Sequence, residues 1–259
     1  MNSDIKRIDD IVAIAQGMKR VPSHLYYLGN LSLLQKPKIA MVGTRRPTSY
    51  TKSHSYAIAQ KLSRSGICIV SGGAVGVDAI CHQGAGAENT IMIAGTGLDK
   101  RYPTINQKLI QSIEEKGLVL SQFAADEPSF KWNFPARNEL IVALSSALIV
   151  TQADMQSGTM HSVQFALQMK KKIYVLPHRL GESEGTNYLL AKGLAEPLYD
   201  VDGLIEMYGE QKIACHDDFL NYCDTFPLYN EAVVLYPKEV FEYECLGKIV
   251  VENGRIRRA

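Results

Sequence analysis

From Lys38 onward, short β-branched runs alternate with longer segments of helical period, and this alternation leaves few architectures open to the chain. The strand candidates are Lys38–Val42, Ile67–Val70, Thr90–Ala94, Leu118–Ser121, Leu148–Thr151 and Ile173–Leu176. Helix candidates fill the intervals near Thr51–Ser65, Val75–Ala85, Asn106–Lys116, Arg137–Leu144 and Thr159–Met169. Strand and helix in strict succession specify the α/β class: a doubly wound parallel sheet with helices on both faces. A chain of 259 residues, 46% of them hydrophobic, can fill the core such a sheet needs and still supply a small second module.

Both flanks depart from the pattern. Asp4–Met18 carries Ile5, Ile8, Ile11, Val12 and Ile14, a helical stripe that predicts a short N-terminal helical extension over residues 1–35. Residues 36–212 form the expected main domain. Residues 213–259 hold three short helical stretches, near Asp217–Cys223, Tyr229–Leu235 and Lys238–Leu246. Lys248–Arg258 follows, with Asn253-Gly254 as a strong hairpin signal, and together these read as a winged-helix-like module.

Function is written where strands end. Ile39–Val42 breaks into Gly43-Thr44-Arg45-Arg46-Pro47, and Ile67–Val70 breaks into Ser71-Gly72-Gly73-Ala74-Val75-Gly76-Val77-Asp78. Small residues at a strand-to-helix turn let backbone N–H groups and a positive helix terminus approach an anion. In a parallel sheet such turns gather on one rim, so separate segments build one anion-binding surface. Phe134-Pro135-Ala136-Arg137-Asn138 adds an aromatic beside an always-charged guanidinium, the combination that stacks a base and holds its phosphate.

Charge and composition narrow the choice. A net charge of +1 gives no global attraction for nucleic acid, so binding must rest on a local basic pocket. Five cysteines without a C-x-x-C pair argue against a disulfide framework and a zinc knuckle, and fit a reduced compartment. The charged start, Met1–Arg20, and the lack of a long apolar run predict a soluble cytoplasmic protein with no membrane partner.

In series, GTRRPTSY (Gly43–Tyr50), SGGAVGVDAICHQG (Ser71–Gly84), GLDKRYP (Gly97–Pro103), FPARN (Phe134–Asn138), SGT (Ser157–Thr159) and GTNYLL (Gly185–Leu190) with Gly193 resemble the DprA/Smf (DNA processing protein A) family over about Pro22–Leu204. The resemblance implies an extended Rossmann-like domain that binds single-stranded DNA, forms a homodimer and helps load the RecA recombinase during natural transformation. It implies a DNA pocket containing Arg45 or Arg46, Lys131, Phe134, Arg137 and Asn138. Gly43, Thr44, Ser71, Gly72, Ser157, Gly158 and Thr159 would be backbone-type phosphate contacts. Two departures stand out: Ala74-Val75-Gly76 where many members carry Ala-Arg-Gly, and Gln152 where a Glu often follows the fifth strand.

Rival readings are weaker. Arg45 and Arg46 could be solvated loop arginines, and Phe134 could be plain core. Lys170-Lys171-Lys172 reads either as a basic patch or as a charged helix end complementing the dipole. Asp78 reads as a helix-turn acid, and His82 and His161 as structural residues without metal partners. Gly72 opens Gly-Gly-x-x-Gly, not Gly-x-Gly-x-x-Gly, with Met92 or Ile93 where a ribose-binding acid would stand, and no G-x-x-x-x-G-K-[ST] occurs, so no cofactor is expected. The enzymatic alternative is a nucleoside-monophosphate phosphoribohydrolase of the LOG (lysine-decarboxylase-like) type. That group requires a catalytic Glu soon after a Pro-Gly-Gly-x-Gly-Thr turn, whereas Ser157-Gly158-Thr159 leads into Met160-His161-Ser162. A ribosyl cation would lack its stabilising carboxylate, and the chain reads as a binding protein without catalytic residues. The last module carries eight acids against five bases, a net charge of −3, which points it toward protein and away from duplex DNA.

Overall fold

The computed structural model describes residues 5–125, 127, 130, 132–209 and 218–258. The chain divides into two compact units, Met1–Glu210 and Gln211–Ala259.

The first unit is a nine-stranded mixed sheet. Its strands are β1 (Lys6–Ile8), β2 (Leu25–Gly29), β3 (Lys38–Val42), β4 (Cys68–Ser71), β5 (Thr90–Ile93), β6 (Leu118–Ser121), β7 (Ala147–Val150), β8 (Lys172–Val175) and β9 (Glu196–Pro197). Its helices are α1 (Ser49–Arg64), α2 (Val77–Ala85), α3 (Gln107–Lys116), α4 (Asn133–Leu144), α5 (Gly158–Gln168), α6 (Glu184–Ala191) and α7 (Val201–Tyr208). The spatial order is β1-β2-β6-β5-β4-β3-β7-β8-β9. Neighbours from β6 to β9 are parallel, while β2 runs antiparallel to β6 and β1 to β2.

The central strands are apolar on both faces, as a sheet covered on both sides requires. Ala40, Val42, Cys68, Val70, Leu148 and Val150 pack on one face with residues of α4 and α5. Ile39, Met41, Ile69, Ala147 and Ile149 pack on the other with residues of α1, α2 and α7. The period of two along each strand thus sorts side chains into two cores.

Among the described residues 5–18 the helix expected over Asp4–Met18 is not present. Lys6–Ile8 instead pairs with Leu25–Tyr27 as an edge strand, with Lys6 and Arg7 exposed as an edge favours. Only one turn survives of the helical stripe: Ala15 N–H donates to Ile11 O at 2.9 Å, and Ile11, Ala15 and Met18 are buried. Edge pairing and burial outweigh the weak helical preference of a β-branched segment. The strands β1, β2 and β9 and the helices α6 and α7 are additions to the sequence reading.

The second unit contains α8 (Asp218–Cys223), α9 (Tyr229–Leu235), α10 (Pro237–Cys245) and the hairpin β10 (Ile249–Glu252) and β11 (Arg255–Arg258). Asn253 and Gly254 both have positive φ, 52° and 74°, as the tight hairpin turn requires. Phe219, Cys223, Ala232, Val240, Ile249 and Ile256 form its own core.

Candidate nucleic-acid interface

The sheet order contains a reversal. From β3 the chain builds β4 and β5 on one side, then returns to lay β7 and β8 on the other. The helix after β3 covers one face and the helix after β7 the opposite face, which opens a crevice beyond the carboxyl ends of these neighbours. A cavity of about 450 Å³ lies there. The turns Val42–Arg46 and Ser157–Thr159 line it, together with Phe134, Arg137 and Asn138.

The β3–α1 turn is held by backbone bonds. Thr44 N–H donates to Gln152 O at 2.8 Å, Val77 N–H donates to Thr44 O at 3.1 Å, and Thr48 N–H donates to Gln152 Oε1 at 3.0 Å. Gln152 therefore braces the turn with its side-chain carbonyl as well as its backbone. Gly76, at φ 92°, lets the second turn come against the first: a Cβ there would lie 2.5 Å from Thr44 O and 2.7 Å from Arg45 Cα. Gly76→Ala should therefore displace this loop as well as strain the backbone. A loss of about 1–3 kcal/mol is expected, read as a lowered urea midpoint.

With its backbone fixed, this turn presents Arg45 and Arg46 to solvent. Among the described residues neither makes an ion pair, so both are free for an external anion. On the same cavity, Ser157 immediately precedes α5; its backbone is extended and its hydroxyl makes no cap bond. Ser157 Oγ and Ser162 Oγ are buried without a hydrogen-bond partner among the described residues, and both residues line the cavity. The free N–H groups of a helix's first turn add partial positive charge. Asn138 ties α4 to this terminus by donating from Nδ2 to Gly158 O at 3.3 Å.

Arg137 differs from the exposed guanidinium that the sequence suggested. It is 5% exposed, and Nη1 donates to Gly72 O and, at 2.8 Å, to Ile93 O, while Nε donates to Asn138 Oδ1 at 3.0 Å. Its buried charge works with Asp78, also buried, on the cavity wall. Burial pushes the Asp78 carboxyl above the usual carboxylate range, and Arg137 partly offsets that push. Gly72 makes the arrangement possible, since a Cβ there would stand 2.3 Å from Arg137 Nη1. Phe134 is half-buried: its ring lies 6.0 Å from that of Tyr102 and 5.8 Å from Arg137 Cζ.

Other expected residues lie elsewhere. Ser71 is fully buried, with Oγ donating to Met41 O at 2.6 Å, and it does not line the cavity. Gly72 lines a smaller adjoining hollow of about 70 Å³ with Tyr102 and Pro103. Lys131 lies outside the described residues. Lys171 donates to Val142 O, Ala143 O and Ser145 O and so caps α4, while Lys172 pairs with Glu196. Lys171 and Lys172 are thus tied into the fold around the start of β8, and none of the three lysines lines the cavity. His82 is buried against Thr90, and burial pushes its imidazole down to about 3. Gln152, Gly76, Asp78 and Ser162 were not singled out as site residues. The spacing of Asp78, one residue inside a helix after a glycine turn, was the signal available for it.

Residues 9–209 match the family model described as DNA recombination-mediator protein A. Protein Smf of Synechocystis is 36% identical over 220 residues, covering 78% of this chain and 55% of that protein. DNA processing protein DprA of Streptococcus pneumoniae is 36% identical over 176 residues, covering 66% of this chain and 62% of its own length. The chain thus spans little more than half the length of these curated relatives. Among solved structures, DNA processing protein A from Helicobacter pylori superposes with a TM-score of 0.76 at 43% identity, covering 78% of this chain and 94% of that one. The Streptococcus pneumoniae structure gives a TM-score of 0.73 at 30% identity, covering 80% and 75%. With the motif-bearing turns assembled on one rim and the match running through nearly the whole first unit, the chain belongs to the DNA recombination-mediator protein A family, that of DprA and Smf.

Proposed function

We propose that this chain is a non-enzymatic single-stranded DNA-binding recombination mediator whose strand contacts centre on the cavity beyond β3 and β7. The observation that carries this reading is the convergence of Arg45, Arg46, the open start of α5 and the half-buried ring of Phe134 on one crevice. Cations and helix N–H groups take phosphates, and an aromatic takes a base in any sequence. The single-stranded DNA binding mode described for the Helicobacter pylori protein supports it. Protection of incoming strands and their delivery to the RecA recombinase, by a homodimer, complete the proposal and rest on family membership. No helix is long and apolar enough to cross a membrane among the described residues.

Arg137 acts in this reading as a positioning residue, holding the second turn and Asn138. The phosphate contacts are assigned to Arg45, Arg46 and Lys131. The carboxylate on the cavity wall, Asp78, is engaged by Ala74 N–H at 3.4 Å and by Arg137, which suits support and not ribosyl transfer. Binding measured in parallel for a single strand, a duplex of the same length and free nucleotides should favour the single strand. No base or phosphate should be released from nucleoside monophosphates. Purified protein that turns these over, with activity lost in Asp78→Asn, would restore the phosphoribohydrolase reading.

The second unit is assigned a protein-contact role. Its hairpin arginines are already engaged within the unit: Arg257 with Glu252 at 2.8 Å, Arg258 with Asp224 at 3.5 Å, and Arg255 with Phe226 O at 2.7 Å. Changing all three to Ala should leave strand affinity within about twofold at moderate salt, since exposed pairs contribute little and free no phosphate-binding cation. A tenfold loss would bring the hairpin into the DNA interface.

A further inference from the structure

The segment leading into α4 carries a second aromatic feature that the cavity does not use. The rings of Phe130 and Trp132 lie parallel, 9° apart in plane, with centroids 4.5 Å apart. Both are exposed, Phe130 at 39% and Trp132 at 68%. Large aromatic side chains are mostly buried in folded proteins, so an indole with two thirds of its surface in water, already stacked on one side, offers a planar apolar face toward solvent.

On the reading that the cavity takes single-stranded DNA, we propose that Trp132, backed by Phe130, is a stacking platform for a further base of the same strand, next to the one at Phe134. Three observations commit the face to a nucleobase. Its exposed indole is planar and stacked on Phe130, which suits another planar ring. It is near the cavity, because Trp132 stands two residues before the cavity-lining Phe134, with their Cα atoms no more than ~7 Å apart. It is anchored on the scaffold: Asn133 N–H donates to Phe130 O at 3.1 Å, and buried Asn133 Nδ2 donates to Gly95 O at 3.3 Å. A strand whose phosphates follow Arg45 and Arg46 would have its bases free to stack on both aromatic positions, and such stacking tolerates any sequence.

Trp132 is the chain's single tryptophan, so its emission reports this face alone. The intact protein would be titrated with oligothymidylates of increasing length, following tryptophan emission and, independently, the anisotropy of a labelled strand. Saturable quenching with the same midpoint as the anisotropy change is expected. Trp132→Ala should lower affinity at least about fivefold without altering the salt slope, and Trp132→Phe should recover most of the loss. With a single nucleotide, which fills the cavity alone, wild type and Trp132→Ala should bind equally. Strand binding that depends on Phe134 but leaves tryptophan emission and Trp132→Ala affinity unchanged would overturn the platform alone. No strand binding by the wild-type protein would overturn the cavity reading and the platform with it. Reduced self-association of Trp132→Ala in sedimentation, with strand affinity intact, would assign the face to a second copy of this chain and overturn the proposal.

Discussion

Arg137→Met should destabilise the first unit by about 3–5 kcal/mol, because it removes a buried cation that donates to two buried carbonyls and whose charge favours the buried Asp78 carboxylate. The substitution keeps much of the side-chain volume but leaves the Asp78 carboxylate buried without its cation and strips Gly72 O and Ile93 O of their donor. Urea unfolding followed by tryptophan emission reports this unit, because Trp132 lies in it and the second unit has no tryptophan. The deficit should also depend on pH. Burial already holds Asp78 above the ordinary carboxylate range in the folded protein, so the native state retains a proton that the unfolded chain has released, and stability falls as pH rises through that window. Removing Arg137 raises the folded value further, so the deficit should shrink as pH falls toward the ordinary carboxylate range. Asp78→Asn in the Arg137→Met background should recover part of the loss. A single change at Arg137 that leaves the urea midpoint intact while abolishing strand binding would return Arg137 to the phosphate contacts.

Phe134→Ala should weaken single-strand binding by about 1–3 kcal/mol, roughly 5- to 150-fold, because in the proposed function this ring at the cavity is the one that stacks a base. Gly95 gives this ring its place: a Cβ there would lie 3.0 Å from Phe134 Cδ1. Counterion release is untouched, so the dependence of affinity on salt should keep its slope while the whole line shifts. Phe134→Leu separates stacking from filling of space. If stacking is the contribution, Leu restores stability but little affinity. Affinity restored by Leu would reassign Phe134 to packing.

The parallel core of the fold was legible because its strands are apolar on both faces and its helices are long enough to show their period. The strands β3 and β6 begin and end at the expected residues, and β4, β5, β7 and β8 shift by a residue at one or both ends. The first residues were misread because Ile11 and Ala15 imitate a helix over one turn, while Lys6–Ile8 is decided by pairing with Leu25–Tyr27 of β2, which no local period reveals. Short elements such as β9 depend on a neighbour's edge and leave no periodic trace. At the site, the turns were legible because glycine and small residues mark strand ends. What a guanidinium does there was not. Arg45, Arg46 and Arg137 are alike in sequence, yet the first two stand in solvent and the third is folded onto two strand-end carbonyls. Only the third dimension distinguishes them. Ser71 illustrates the same limit, since its hydroxyl is committed to Met41 O behind the turn.

The central claim is that the turn after β3 holds phosphates of a single strand, and the salt dependence of binding tests it most directly. Affinity for an unlabelled-competitor-controlled oligothymidylate would be measured across a salt series for the wild-type protein and for Arg45→Ala with Arg46→Ala. Three cation contacts, from Arg45, Arg46 and Lys131, give an expected wild-type slope of about −2 in log affinity against log salt, at ~0.7 per contact. The double variant should flatten that slope by about 1.4, with its urea midpoint unchanged because neither side chain is paired in the fold among the described residues. A double variant with the wild-type slope, at either affinity, would contradict the account.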